Sequence, residues 1–252
     1  MTVRKLQQGR GWAFSLAVPI VKPTLLSIAS RTWIDGEKIP AVGGCIVVFN
    51  HISHIDPLLS AHFVYDHGRL PRYLAKSGLF KNKALSKFLR SAGQIPVERL
   101  SRNAVGAFDA AVNAVRAGEC VVVYPEGTLT RDPDLWPMIG KSGAARIALE
   151  TGCPVIPVGQ WGAHEVLPPY TTRPRLFPRK RIVMKAGDPV DLTDLLTRPR
   201  STETINAATA RIMAALVAVV EDLRGEKAPA ERFDPRKAGL RQIGNPRKQD
   251  RA

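Results

Sequence analysis

The chain has 252 residues, of which 44% are hydrophobic and 23% charged, which is enough to bury a large core in one globular domain. Lys and Arg number 37 against 22 Asp and Glu, a formal net charge of +15, so an anionic partner is expected: nucleic acid, anionic lipid, or a phosphorylated or acidic substrate. The three cysteines, Cys45, Cys120 and Cys153, lie in apolar strand-like contexts without C-x-x-C spacing, which argues against a disulfide framework or a zinc site and for reduced thiols in a reducing compartment.

Residues 1–11 are polar and basic. Residues 12–20 are apolar, Lys22 and Pro23 interrupt, and residues 24–29 are apolar again. A spanning helix needs about 20 continuous apolar residues, and no small-residue cleavage site follows. The stretch therefore predicts an interfacial helix or helical hairpin in one leaflet, with Trp12, Trp33, Arg10 and Arg31 as interface anchors. A helix packed on the domain's own core is the other reading. Residues 33–40 carry a D-G turn signal feeding a short edge strand.

Cys45–Phe49 reads as a buried parallel strand. Asp56-Pro57 signals a helix start, with Asp56 at the N-cap and Pro57 at the first helical position. A strand is expected over 72–76, a basic amphipathic helix over 79–92, a short strand over 94–97 and an Ala-rich helix over 103–117 closed by Gly118. Residues 119–124 form the next buried strand and run into Pro125-Glu126-Gly127-Thr128. A helix over 140–151, a strand over 154–159, a Pro- and Arg-rich loop over 168–181, an antiparallel edge strand over 181–186 and a long helix over 202–223 complete the pattern. Strand–helix alternation of this kind predicts an α/β fold, a mostly parallel central sheet covered by helices on both faces. From Gly225 apolar content collapses and charge dominates, which predicts a disordered basic tail. The expected divisions are 1–31 as a membrane-interface helical segment, 32–224 as the domain and 225–252 as the tail.

His51 falls just past a strand's carboxyl end, in the crevice where open α/β sheets bind ligands. Neutral imidazole can take a hydroxyl proton on one nitrogen when a carboxylate holds the other N–H. The turn between His51 and Asp56 lets their side chains meet. The bland alternative is that Asp56 is only a cap and His51 a loop residue.

Four blocks in order resemble the glycerolipid acyltransferase family that includes the 1-acylglycerol-3-phosphate (lysophosphatidate) acyltransferases. Asn50-His51-Ile52-Ser53-His54-Ile55-Asp56 is similar to that family's NHxSxxD, which contains its HX4D motif. The second block runs from Lys76 to Gly93-Gln94-Ile95-Pro96-Val97-Glu98-Arg99. The third is Tyr124-Pro125-Glu126-Gly127-Thr128 and the fourth Val155-Ile156-Pro157-Val158. The resemblance covers roughly residues 33–160. It implies a glycerol-3-phosphate acyltransferase-like fold and transfer of a fatty acyl group from acyl-CoA or acyl-carrier protein to a glycerol hydroxyl, without an acyl-enzyme. It implies His51 as general base, Asp56 as its orienting partner, Lys76 and Arg99 on the acceptor's phosphate, and Glu126, Gly127 and Thr128 on the glycerol phosphate. Where the family usually has Arg after EGT, this chain has Leu129, and Arg131 follows two residues on. That makes Arg131 a candidate substitute. Ser53 is expected to bond within its turn, and His54 is unassigned.

The acyl thioester is then a co-substrate, and no cofactor or metal is implied. The expected partners are a lysophospholipid and an anionic membrane surface at the cytoplasmic face, with acyl-carrier protein as a further candidate. Other lysolipid or glycolipid acceptors keep the fold and change the substrate. A metal hydrolase using His51, His54 and Asp56 lacks an outlying ligand set. A basic nucleic-acid binder lacks aromatic–basic interleaving or a helix-turn-helix pattern.

Overall fold

The computed structural model describes residues 3–97 and 104–240. Seven strands form one sheet in the order β1-β7-β6-β2-β5-β3-β4. They are β1 (Ala29–Ile34), β2 (Cys45–Phe49), β3 (Pro71–Lys76), β4 (Ile95–Val97), β5 (Cys120–Val123), β6 (Val155–Trp161) and β7 (Lys180–Ala186). Every neighbouring pair is parallel except β6–β7. The helices are α1 (Gly11–Ile28), α2 (Asp56–Asp66), α3 (Lys83–Ser91), α4 (Ala104–Arg116), α5 (Gly143–Thr151), α6 (Ala163–Val166), α7 (Thr193–Leu196) and α8 (Thr202–Arg224).

Central β2 is buried on both faces, and its side chains alternate between two cores. Val47 and Phe49 pack with Leu25, Leu59, Phe63, Ile156 and Met184. Ile46 and Val48 pack on the other face with Val115, Val121, Ile147, Leu195 and Ile212. Each such side chain contributes roughly 1.5–3 kcal/mol on burial. The doubly covered, mostly parallel α/β sheet is as expected from sequence.

The N-terminal region differs from expectation. Lys22 and Pro23 do not break the apolar stretch: α1 is continuous over 18 residues with Pro19 and Pro23 inside it. The Lys22 ammonium is paired with Asp66 at 2.8 Å instead of facing out, and the Thr24 hydroxyl donates to the Ile20 carbonyl at 2.7 Å. At about 1.5 Å per residue the helix is some 27 Å long. By length and hydropathy both α1 and α8 could cross a membrane, with 11% of α1 buried and 39% of the α8 window; α8 packs as a core helix against β6.

The expected anchors Arg31 and Trp33 are not at an interface. They lie in β1, which pairs with β7; Trp33 is buried, and Arg31 bonds Asp66 at 2.7 Å. The expected boundary at residues 31/32 therefore falls inside a strand. Because β1 occupies the far side of β7, β7 is antiparallel to β6 as expected but is not the edge. Residues 225–240, expected in a disordered tail, return along the domain. Ala228 N donates to Glu221 Oε1 at 2.9 Å and Ile139 N to the Phe233 carbonyl at 3.1 Å. Backbone bonding compensates for their low apolar content. The rest of the expected tail lies outside the described residues.

Candidate active site

Strands β2, β5, β3 and β4 are parallel neighbours, so the segments after each emerge at one edge of the sheet. That edge gathers His51 after β2, Tyr124–Thr128 after β5, and Lys76 at the end of β3, whose backbone registers with Val97 of β4. The side chain of Lys76 is not described, and Arg99 lies outside the described residues.

His51 Nδ1 stands 2.9 Å from Asp56 Oδ2. The same oxygen accepts the N–H groups of Ile52 at 2.7 Å and Ser53 at 2.8 Å. Asp56 therefore turns back into the loop; it does not cap α2 with its side chain, which corrects that part of the sequence expectation. A carboxylate facing Nδ1 fixes the ring proton there and leaves Nε2 to accept another. Asp56 is fully buried, and its Oδ1 has no partner among the described residues. The His51 ring stacks on Tyr124, centroids 4.3 Å apart. The hydroxyls of Tyr124 and Tyr73 both meet Ser60 Oγ at 2.7 Å, and burial pushes both phenols above their ordinary pKa. This Tyr73–Ser60–Tyr124 support was missed from sequence. Its one local signal is that Ser60 lies a helical turn after Asp56, where its hydroxyl donates to the Asp56 carbonyl at 2.9 Å.

Asn50 clamps the end of β2 to β6. Its Nδ2 donates to the Gln160 carbonyl at 3.0 Å, and Gln160 N donates to Asn50 Oδ1 at 2.8 Å. The Ser53 hydroxyl accepts from Ile55 N within the turn at 3.3 Å and donates to the Leu167 carbonyl at 2.6 Å. His54 is exposed, and burial of part of its ring, with His51 nearby, lowers its pKa.

Glu126 is buried. Its Oε1 accepts His51 N at 2.9 Å and its Oε2 accepts Met138 N at 3.0 Å. Burial pushes its carboxyl up to about 8, against those two amide donors. Glu126 thus fixes the backbone carrying the imidazole. Gly127 has φ 71°, which disfavours any residue with a Cβ. Leu129 is 2% exposed and Arg131 7%. Burial pushes the Tyr170 phenol up, and the nearby Arg131 guanidinium works against that shift; Arg131 is not in the lining of either cavity described below.

The first cavity is an apolar groove of about 520 Å³ between α1, α2, α3 and β3. Its walls include Ala17, Val21, Leu58, Leu74 and Phe88, and His51 and Tyr124 also line it. That volume is in the range of small-molecule sites. The second cavity, of about 150 Å³, is lined by Thr128, Glu126 and residues 138–141, together with Pro235 and Arg236. Among the described residues no group of three or more His, Cys, Asp or Glu converges as a metal site would.

A hydrophobic groove ending on a His–Asp pair defines a class of site that moves or cleaves a group borne on an apolar chain. The chain belongs to the acyltransferase family, whose sequence profile matches residues 31–161, just over half of it. It is similar to a chloroplastic 1-acyl-sn-glycerol-3-phosphate acyltransferase of Brassica napus, 30% identical over 141 residues, which cover 55% of this chain and 39% of that protein. It is also similar to the 1-acyl-sn-glycerol-3-phosphate acyltransferase of Borreliella burgdorferi, 34% identical over 123 residues, 48% of this chain and 47% of that one. The match thus spans less than half the length of each of these relatives. In fold it resembles the crystal structure of the 1-acyl-sn-glycerophosphate (LPA) acyltransferase PlsC from Thermotoga maritima, with TM-score 0.63 and 23% identity over 85% of this chain and 81% of that one.

Proposed function

We propose that this protein transfers a fatty acyl group from acyl-CoA or acyl-carrier protein to the free hydroxyl of a lysophospholipid, 1-acylglycerol-3-phosphate, giving phosphatidic acid. The observation that carries the reading is the His51–Asp56 pair in the wall of an apolar groove. The groove takes an acyl chain; the polar edge takes the head group.

His51 Nε2 removes the acceptor's hydroxyl proton as that oxygen attacks the thioester carbonyl carbon. Asp56 holds the imidazole and stabilises the imidazolium that forms. Collapse of the tetrahedral adduct breaks the C–S bond, and the imidazolium returns its proton to the departing thiolate. The acyl group passes directly to the acceptor, so no acyl-enzyme is required. Support for the acceptor comes from the names of the relatives. The thioester donor rests on the resemblance.

The basic surface and the outward side of α1, with Trp12, Leu16 and Ile20 exposed, support work at an anionic membrane surface. The test is thioester consumption by purified protein across a panel of lysolipids with each donor. Turnover with lysophosphatidate that disappears in His51→Ala is expected. No turnover with any acceptor, or turnover that survives the substitution, overturns the reading.

A further inference from the structure

The Pro- and Arg-rich loop between α6 and β7 is fastened on both sides of its tip. On one side Arg175 N donates to the Val166 carbonyl at 2.7 Å. On the other, Arg179 Nη2 donates to the Leu26 and Ala29 carbonyls at 2.7 and 3.1 Å, a cation at the carbonyl end of α1. Strand β7 then runs beside β1, with Lys180 opposite Ala29. Between these ties lies Leu176-Phe177-Pro178. Phe177 is 77% exposed, more than any other large apolar side chain among the described residues, and Leu176 is exposed beside it. Around this apolar tip the charge has one sign: residues 166–187 contain six Lys and Arg and no Asp or Glu.

We propose that this loop is a membrane-insertion element, which places Phe177 and Leu176 among the lipids of an anionic bilayer while Arg173, Arg175, Lys180 and Arg181 meet the head groups. The proposal deepens the membrane reading given above and adds a second footing beyond the carboxyl end of α1. Apolar side chains gain by burial at the boundary between head groups and acyl chains, and nearby cations add attraction to anionic lipid. The charge pattern selects the occupant. A bare apolar tip would suit an apolar face of another protein. A tip ringed by cations, with no carboxylate near it in sequence, suits a surface that is apolar within and anionic outside. Insertion also desolvates little backbone. Pro174 and Pro178 carry no N–H, and that of Arg175 is already bonded, so few donors lose water. The Arg179 bonds tie the tip to the same helix whose Trp12, Leu16 and Ile20 face outward.

The full chain is sedimented with vesicles of phosphatidylcholine alone and of phosphatidylcholine mixed equally with phosphatidylglycerol, as wild type, Leu176→Ser/Phe177→Ser and Phe177→Trp. The double Ser variant is expected to partition onto the mixed vesicles roughly 10- to 100-fold more weakly, with an unchanged melting temperature, since both side chains are exposed. Phe177→Trp should bind as wild type does. Its added emission, with the wild-type spectrum subtracted, should shift to the blue on the mixed vesicles and be quenched by brominated lipid. Both effects should shrink on phosphatidylcholine alone, where the cations find no anionic partner. Binding by the double Ser variant equal to wild type, or Phe177→Trp emission that the vesicles leave unmoved, overturns the proposal and leaves the α1 contact standing. Wild type that does not sediment with the mixed vesicles overturns it together with the membrane reading. Self-association of wild type that is lost in the double Ser variant, with vesicle binding unchanged, gives the loop to a second copy of the chain and overturns it as well.

Discussion

His51 is held at three points: its ring nitrogen by Asp56, its backbone N–H by Glu126 and its ring face by Tyr124. Such fixation keeps Nε2 in one place, as the proposed proton transfer requires. His51→Ala should lower kcat about 10²–10⁴-fold with acyl-CoA binding retained; near-normal turnover would remove the base from its role. The exposed His54 is the control, and His54→Ala should leave activity near wild type. Asp56→Asn should lose kcat, because the carboxamide oxygen can still accept the three N–H groups that meet Oδ2 but carries no charge to stabilise an imidazolium, and it should lower the melting temperature modestly, because its NH2 would be buried without an acceptor at the place of Oδ1.

Glu126 gives a pH signature. Its carboxyl is raised from 4.5 in the ordinary state to about 8 when folded. Between those values the folded chain keeps a proton that the unfolded chain has released, so stability falls as pH rises through that window. Thermal unfolding from pH 5 to 8 should show this decline in wild type and a flatter profile in Glu126→Gln; identical profiles would exclude it. The contact between His51 and Asp56 was legible in sequence because strand, turn and helix start fall within a dozen residues. Its supports were not, because Glu126 and Tyr124 reach it across more than sixty residues. For the same reason the buried position of Arg131 could not be told from its spacing alone.

At the scale of the element, Asp66 at the end of α2 joins three pieces of chain. It accepts from Lys22 of α1 and from Arg31 and Trp33 of β1, at 2.8, 2.7 and 3.1 Å. Burial opposes its ionisation, yet His62, Lys22 and Trp33 hold its carboxyl well below the ordinary 3.8. The stability this gives is present above 3.8 and is lost as pH falls from there toward the folded value. Asp66→Ala leaves two cations around a buried site, and a loss of about 3–5 kcal/mol in denaturant unfolding is expected. An unchanged midpoint would show that the cluster holds nothing together. The cluster also explains why β1 was read as membrane-facing. Trp and Arg flanking an apolar run have the same signature whether they meet lipid head groups or a carboxylate 33 to 35 residues away. The long core strands needed no such partner to be recognised, since their apolar runs alone identify them.

Over the whole molecule, the proposed membrane contact draws on both the net charge of +15 and the apolar outer side of α1. Replacing Trp12, Leu16 and Ile20 by Ser should weaken binding to anionic vesicles, and added salt should weaken what remains. Equal sedimentation of wild type and triple variant with vesicles would remove α1 from the contact. These substitutions are cleaner than deletion of residues 1–31, which would cut β1 in half. Helix α1 has two apolar sides. Ala13, Ala17 and Val21 line the groove, while Trp12, Leu16 and Ile20 face outward. One helix thickness thus separates the groove from whatever α1 lies against. If that is a bilayer, a lipid reaches His51 by moving sideways within the film, and its concentration in water is irrelevant to turnover. Diluting lysophosphatidate with inert phospholipid at constant bulk concentration should then slow the enzyme in proportion to surface mole fraction. Diluting the vesicles themselves, with all protein bound, should not.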